Sequence, residues 1–154
     1  MRINIIPPKI LMDQHLVAEY SEIKMLPKAF LRSLYSKKGI SKDSISEKYT
    51  LNKSHGFFFY DKIQFIIDRF ELLKEEMQAR NFACNFTELP VLDKIPLQYF
   101  NNYVPTLEEQ IINIDRILLR ISEKPSWYKF RGVPVDYRTA FKMYSIYVQK
   151  VKGK

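Results

Sequence analysis

The chain has 154 residues, and its 25 Lys and Arg against 17 Asp and Glu give a formal net charge of +8. This length fits one domain with a single core, and the positive excess favours a polyanion or an anionic membrane surface as partner. The single cysteine, Cys84, excludes an internal disulfide and a cysteine-cluster metal site, and two histidines are too few for a His-rich zinc site. We therefore expect no metal, and we interpret Cys84 as a small buried hydrophobe.

The chain shows no sign of a membrane span or a signal peptide. No apolar run reaches the roughly 18 residues that a bilayer requires. Prolines and charges interrupt the opening segment MRINIIPPKILMDQH too soon for a signal sequence. We expect a cytoplasmic protein, associated with the nucleoid and not attached to a membrane.

Apolar spacing predicts helices in the first half of the chain. The first helical stretch runs from about Leu11 to Tyr35 with a bend near Pro27, because proline removes a backbone donor and crowds the preceding turn. The next lies between Asp61, its expected N-cap, and Asn81, which tolerates the left-handed conformation that ends a helix. Its apolar residues recur at steps of three and four, as in a core helix: Ile63, Ile66, Phe70, Leu73 and Met77.

Two more helices are predicted in the second half. One begins at Thr106, where TLEE supplies a capping box with Glu109, and ends before Pro125. The last, from about Tyr137 to Lys150, is amphipathic and basic. Residues 36–54 and 83–104 are rich in Ser, Lys, Asn and Pro and predict loops. The expected fold is all-α: a compact single domain of three main helices with long irregular loops and an additional C-terminal helix.

Several polar residues of the first helix share a face. His15, Glu19 and Glu22 are separated by steps of four and three residues, so they lie near one another on a helix. Two carboxylates and an imidazole could perform acid–base chemistry. The alternative is a solvent-exposed stripe, because charged residues on helices mostly face water. The sequence HLVAE is not the HExxH zinc signature, so it predicts no metal.

Basic residues cluster in two stretches. Between Lys24 and Lys53 there are eight Lys and Arg against two acidic residues, and between Arg116 and Arg131 there are five against Glu123. Such stretches can neutralise phosphates. A merely solvated face is the alternative.

Four sequence blocks occur in a specific order: RIN after Met1, DQHLVAEYSE, FFFYDK and PSWYKF. Their order and spacing resemble phage-type endonuclease V, a family of pyrimidine-dimer DNA glycosylases with an associated AP-lyase activity. The resemblance covers residues 1 to about 132. It implies a glycosylase/lyase domain over 1–132, with 133–154 as a basic helical extension packed on the same domain.

The resemblance implies a nucleophile at the start of the chain. In the family it is the α-amine of the first residue, a position that Met1 occupies here. Methionine removal generally needs a small second residue, so Met1 should stay before Arg2. An α-amine titrates near 8 and a lysine near 10.4, so at neutral pH the terminal amine is the readier nucleophile. The implied reaction is a Schiff base with deoxyribose followed by β-elimination, without a cofactor.

The resemblance assigns the essential carboxylate to Glu22, in YSE where the family has YRE. Glu22 would stabilise the positive charge that grows on the sugar and help to move protons. Without the resemblance, the preferred interpretation is an ion pair between Glu22 and Lys24 or Lys28.

The resemblance also implies contacts with double-stranded DNA that carries ultraviolet photoproducts or abasic sites. The residues expected to bind it are Arg2, His15, Lys24, Lys28, Arg116, Arg120, Trp127, Tyr128, Lys129 and Phe130. For Trp127 a core position is the alternative. His15 would position Glu19 or the lesion, or simply pack. We expect a monomer.

Three departures from the family distinguish this chain. Ser21 replaces an arginine beside Glu22, two extra residues follow Glu22, and the extension beyond residue 132 is absent from the short phage form. The extension could cover the core, bind more DNA or dock a partner, and its apolar residues favour packing: Phe141, Tyr144 and Val148. Two other functional classes stay open, a non-catalytic nucleic-acid-binding module and a membrane-surface protein.

Overall fold

A computed structural model describes residues 2–154. It confirms the all-α class, since within this range the only strands form one short antiparallel hairpin. The helices are α1 (Asp13–Glu22), α2 (Met25–Leu34), α3 (His55–Phe58), α4 (Ile63–Ala79), α5 (Leu107–Glu123) and α6 (Tyr137–Lys152), and the strands are β1 (Lys129–Phe130) and β2 (Val133–Pro134).

The described chain forms two compact units. The first combines the residues up to Ile3 with Ala18–Val104, and the second combines Asn4–Val17 with Pro105–Lys154. The core of the first unit is rich in aromatic rings, and its largest fully buried side chains include Tyr20, Phe30, Phe58, Phe59 and Phe70. The predicted boundary between residues 132 and 133 remains a prediction.

The predicted long helix over 11–35 is wrong in its interior. The chain forms two helices, α1 and α2, separated by a turn at Ile23 and Lys24. Pro27 causes no bend, because it is the third residue of α2, where a backbone N–H has no acceptor within the helix. The break lies instead directly after Glu22, where the resemblance indicates extra residues.

Helix α4 confirms one predicted end and corrects the other. The predicted stripe is buried along its whole length, from Ile63 to Met77. Asn81 adopts φ 63°, and the Phe82 N–H closes the C-terminus on the Met77 carbonyl at 2.9 Å. The prediction that Asp61 caps the N-terminus is wrong: Lys62 occupies the N-cap position without a side-chain cap. The Asp61 carboxylate binds the Lys62 ammonium at 2.7 Å instead.

Helices α5 and α6 pack against each other in the second unit. The capping box at the start of α5 is confirmed, since Thr106 Oγ1 accepts the Glu109 N–H at 3.1 Å and Glu109 Oε1 accepts the Thr106 N–H at 3.1 Å. From α6, the buried Tyr144 hydroxyl donates to the Ile10 carbonyl at 2.7 Å. These contacts fix α6 on its own unit.

The sequence did not predict the β1–β2 hairpin or helix α3. The hairpin needs only a two-residue turn, Arg131 and Gly132, because both residues have positive φ, and such a turn matches the twist of the flanking strands. Glycine tolerates that conformation, whereas Arg131 needs support from outside the turn. The burial predicted for Cys84 is also wrong, because its side chain is only half-buried.

The described residues contain neither a membrane-spanning helix nor a metal-binding cluster. No helix within 2–154 combines the length and hydropathy that a membrane span needs. Over the same range, no group of three or more His, Cys, Asp or Glu side chains is arranged to hold a metal ion.

Candidate nucleic-acid site

The backbone of Ile3 is held from both sides within the first unit. Its N–H donates to Nε2 of His55 at 2.7 Å, and its carbonyl accepts the Tyr49 hydroxyl at 2.9 Å. All three residues are buried. The start of the chain is therefore anchored at the second residue after Met1.

His55 can hold Ile3 in only one neutral tautomer. The ring atom Nδ1 lies 2.7 Å from the Thr50 carbonyl, which can only accept, so Nδ1 carries the hydrogen. Nε2 is then the lone-pair acceptor that the Ile3 N–H requires. Tyr49 and Phe59 pack edge-on against the imidazole with centroids 5.5 Å away and fix its plane.

The next residues of the chain are anchored within the second unit by Asn113. Its Oδ1 accepts the N–H of Ile5 at 2.7 Å and of Ile6 at 3.3 Å, and its Nδ2 donates to Asn4 Oδ1 at 2.7 Å. Asn113 is fully buried in α5. The Asn113 side chain thus supplies hydrogen bonds that a neighbouring strand would supply to an extended segment in a β-sheet.

Of the two predicted catalytic residues, only Glu22 is described by the structure, and it belongs to the first unit. Met1 lies outside the described residues. Glu22 is the last residue of α1 and is half-buried. Lys24 follows in the turn, with its ammonium 4.5 Å from the centroid of the Phe86 ring, and Lys28 is exposed on α2.

The shared face predicted for the acidic residues of α1 does not form one polar group. Glu19 is only 1% exposed and binds Arg69 through two bonds, from Nε at 2.7 Å and from Nη2 at 3.0 Å. This buried ion pair ties α1 to α4, so Glu19 is committed to structure. Of the two carboxylates, Glu22 is the one that retains solvent access.

The segment PSWYKF is attached to the start of α1 within the second unit. The carboxylate of Asp13 accepts the N–H of Arg131 at 3.0 Å and of Gly132 at 2.8 Å, which supports the strained turn. Gln14 donates to the Trp127 carbonyl at 2.6 Å and accepts the Lys129 N–H at 3.0 Å. Two blocks that are over 100 residues apart in sequence therefore form one surface element.

His15 completes this attachment by stacking on Tyr128, with ring centroids 4.7 Å apart and an interplanar angle of 20°. The pKa of His15 is lowered to about 4. Burial is the largest cause, and the positive charges of Arg116 and Arg120 contribute the rest. The imidazole is therefore neutral at pH 7. Its Nδ1 is buried without a hydrogen-bond partner among residues 2–154.

The predicted DNA-binding residues around this element differ in accessibility. Trp127 is 58% exposed, so the core alternative does not hold, and the Lys124 ammonium lies 5.7 Å from its ring. Tyr128 is only 8% exposed. Arg120 is exposed and pairs with Glu123 at 3.2 Å, an arrangement that costs little to rearrange.

The remaining predicted DNA-binding residues differ in exposure. Arg2 and Lys129 are exposed, and Arg116 is half-buried. Phe130 is half-buried, and the Arg131 guanidinium lies 5.6 Å from the centroid of its ring. The second unit thus brings together His15, Arg116, Arg120 and Tyr128, while Arg2, Glu22, Lys24 and Lys28 are presented by the first.

Sequence reasoning missed three of the anchoring residues: Tyr49, His55 and Asn113. Asn113 had a detectable signal, because it is a polar residue between apolar positions of the α5 stripe, and a buried polar side chain needs partners. His55 had only its place before an aromatic run. Tyr49 had no signal, since it lies in a loop.

A comparison with protein families gives this geometry a context. A family model described as pyrimidine dimer DNA glycosylase matches residues 1–88, which is more than half of the chain. The match includes Met1 and Glu22, the His55 and Tyr49 anchor, and the Arg69 partner of Glu19.

Proposed function

The chain belongs to the pyrimidine dimer DNA glycosylase family, and we propose that it excises pyrimidine dimers through its terminal amine and then nicks the strand as an AP lyase. The observation that carries this proposal is the family match, because it spans both residues to which we assign chemistry, Met1 and Glu22. The anchoring of Ile3 by His55 and Tyr49 supports it. A nucleophile on a chain end needs a fixed backbone next to it.

In the first step the lone pair of the Met1 nitrogen attacks C1′ of the damaged nucleotide. The bond from C1′ to the base breaks, and the base leaves with the electron pair and takes up a proton. The C1′–O4′ bond then breaks as the sugar ring opens, O4′ keeps the electron pair and takes up a proton, and the nitrogen loses both of its protons, which leaves a C1′=N Schiff base that links protein and DNA. Solvent access to the Glu22 carboxylate allows it to stabilise the positive charge and to relay these protons.

In the second step a base removes a proton from C2′. The electron pair forms the C2′=C3′ double bond, and the 3′ phosphate leaves with the pair from the C3′–O bond. No water is consumed in this β-elimination, and hydrolysis of the imine then frees the amine. Lesions that weaken pairing and stacking lower the cost of the distortion that brings C1′ to the amine.

DNA binding is assigned to three arginines, of which Arg2 and Arg120 are exposed and Arg116 is half-buried, and to one aromatic side chain. Arg2 in the first unit and Arg116 and Arg120 in the second would contact phosphates, and each would add salt-sensitive affinity. Trp127 is exposed and lies two residues before β1, where its backbone carbonyl accepts a hydrogen bond from Gln14. An exposed indole can pack against a distorted step in the duplex. The protein would act as a monomer on DNA with ultraviolet photoproducts or abasic sites.

Borohydride trapping tests the chemistry. The protein is incubated with ultraviolet-irradiated or abasic duplex DNA, and borohydride reduces any imine to a stable adduct that gel electrophoresis resolves. We expect an adduct with the native chain, none when residues are added before Met1, and a strongly reduced yield with Glu22→Gln.

Matched controls separate chemistry from folding. The same residues added after Lys154, and Glu75→Gln at an exposed position of α4, should leave the adduct yield unchanged. If the native chain bound the damaged duplex but formed no adduct, the enzyme proposal would be overturned, and a non-catalytic nucleic-acid-binding module would be favoured.

A further inference from the structure

Helix α6 carries a continuous polar stripe. Steps of four, three, four and three residues place five side chains along one side of the helix: Arg138, Lys142, Ser145, Gln149 and Lys152. All are exposed except Ser145, which is half-buried. With a rise of about 1.5 Å per residue, the stripe is roughly 21 Å long.

Helix α6 carries only positive charges, and the nearest acidic residue along the chain is its N-cap, Asp136, whose charge interacts with Arg138. Residues 137–154 contain five Lys and Arg and no Asp or Glu. In α4, by contrast, Lys74 pairs with Glu71 at 3.0 Å, and in α5 Arg120 pairs with Glu123 at 3.2 Å. Among residues 2–154, no carboxylate lies within ion-pair distance of Arg138, Lys142 or Lys152. A merely solvated helix face gains from mixed charges, so this bias indicates a negatively charged partner.

The stripe is presented by a rigid support. The opposite side of α6 is buried through Ala140 and Tyr144, and Tyr147 donates to Gln110 Oε1 of α5 at 2.5 Å. At the N-terminus, Asp136 Oδ1 accepts the Thr139 N–H at 2.8 Å. The backbone that carries the three cations is therefore ordered before any partner binds, which lowers the entropic cost of binding.

We propose that the stripe Arg138, Lys142, Lys152 of α6 binds the phosphate backbone of duplex DNA and lengthens the contact beyond the lesion. This inference rests on the proposed function, because that function brings DNA to the protein. A duplex carries about one negative charge per 1.7 Å of axis, so a helix face of this length meets several phosphates. Ser145 and Gln149 add neutral hydrogen-bond donors between the cations.

A membrane surface fits α6 less well. A helix that lies in a lipid interface buries its apolar side in the acyl boundary, whereas the apolar side of α6 is occupied by its own unit through Ala140 and Tyr144. Phe141 and Ile146 are half exposed, but they flank the stripe on opposite sides and form no continuous apolar face.

The salt dependence of binding to undamaged duplex DNA tests the proposal. In Arg138→Gln/Lys142→Gln/Lys152→Gln, we expect the slope of log K against log salt to fall by up to about 2.7, since each phosphate contact contributes about 0.9. The matched control is Arg138→Lys/Lys142→Arg/Lys152→Arg, which keeps the charge and should keep the slope. Circular dichroism checks that both variants fold.

A slope for the neutral variant equal to that of the native chain would overturn the proposal. If that variant also lost binding to vesicles of phosphatidylserine and phosphatidylcholine, the stripe would be assigned to lipid. Undamaged DNA reports binding without chemistry, so a native chain that forms no borohydride adduct would refute the glycosylase proposal and leave the slope measurement valid.

Discussion

His55 accepts the backbone N–H of Ile3 through Nε2 at 2.7 Å, across 52 positions of sequence. The bond is buried, and the other ring nitrogen is committed to the Thr50 carbonyl. The imidazole therefore acts as a structural acceptor, and it fixes the backbone two residues after the amine to which we assign the chemistry.

The first prediction concerns this anchor. His55→Phe keeps the aromatic packing with Tyr49 and Phe59 but leaves the buried Ile3 N–H without its acceptor. The free energy of unfolding should fall by about 1–3 kcal/mol, as measured by urea titration. The rate of borohydride trapping should fall as well, at a temperature where the variant stays folded.

His55→Gln provides the comparison for the anchor, because its side-chain oxygen can again accept the Ile3 N–H. It should recover more of the trapping rate than His55→Phe. Native stability and native trapping in His55→Phe would contradict the role of the anchor.

The second prediction concerns the pH dependence of stability. The pKa of His15 is lowered from 6.5 to about 4, first by burial and then by Arg116 and Arg120. Between these two pH values the unfolded chain binds more protons at His15 than the folded chain does, so stability falls as the pH falls from 6.5 towards 4. This loss should reach up to roughly 3 kcal/mol, at 1.36 kcal/mol for each pH unit of difference.

Nuclear magnetic resonance titration of the imidazole checks this value directly. His15 should titrate near pH 4, and Arg120→Gln should raise its pKa by removing one of the repelling charges. His15→Phe, which keeps a ring against Tyr128, should flatten the stability profile between pH 4 and 6.5. Titration of His15 near 6.5 in the folded protein would show that the imidazole is open to solvent.

The helices were predictable from sequence because their signals are local. The stripe from Ile63 to Met77 and the capping box at Thr106 each lie within a few turns of one helix, so spacing alone reveals them. The position of Pro27 was harder to interpret. Proline is compatible with the first turn of a helix as well as with a bend, and only the turn at Ile23 and Lys24 decides between them.

The anchors of the candidate site were not predictable for the opposite reason. Asn113 meets Ile5 over 108 positions and Gln14 meets Trp127 over 113, so neither contact leaves a periodic trace in the sequence. The sequence indicated His15 as a candidate site residue because helical spacing places it on one face with Glu19 and Glu22. Its stacking on Tyr128 depends on the hairpin, whose turn at Arg131 is stabilised by Asp13 rather than by its own residues.

The third prediction separates the two carboxylates of α1. Glu19→Gln leaves the buried Arg69 guanidinium without its charged partner and should destabilise the fold by about 3–5 kcal/mol. Glu22 is half-buried, so Glu22→Gln should change the free energy of unfolding far less, and it should lower the adduct yield. Urea unfolding and trapping, measured on both variants, test this contrast.

A double-mutant cycle refines the third prediction. Because Glu19→Leu/Arg69→Leu removes both charges, its cost should be smaller than the sum of the two single substitutions. Additive costs would show that the pair is not coupled. A loss of adduct in Glu19→Gln under folding conditions would place Glu19 in the chemistry.

The last prediction uses the contrast between two neighbouring aromatic residues. Trp127 is 58% exposed, whereas Tyr128 is 8% exposed and stacks on His15. Trp127→Ala should therefore leave the free energy of unfolding within about 0.5 kcal/mol of native, and it should weaken binding to irradiated duplex more than to undamaged duplex.

Tyr128→Ala should act in the opposite way. It removes a buried ring and should cost about 3–5 kcal/mol of stability, and it should also raise the pKa of His15, because burial is the largest cause of the depression. Chemical denaturation and competition binding with the two duplexes measure both variants. Equal losses for irradiated and undamaged DNA in Trp127→Ala would mean that the exposed indole contributes general affinity, and that recognition of the lesion depends on other residues.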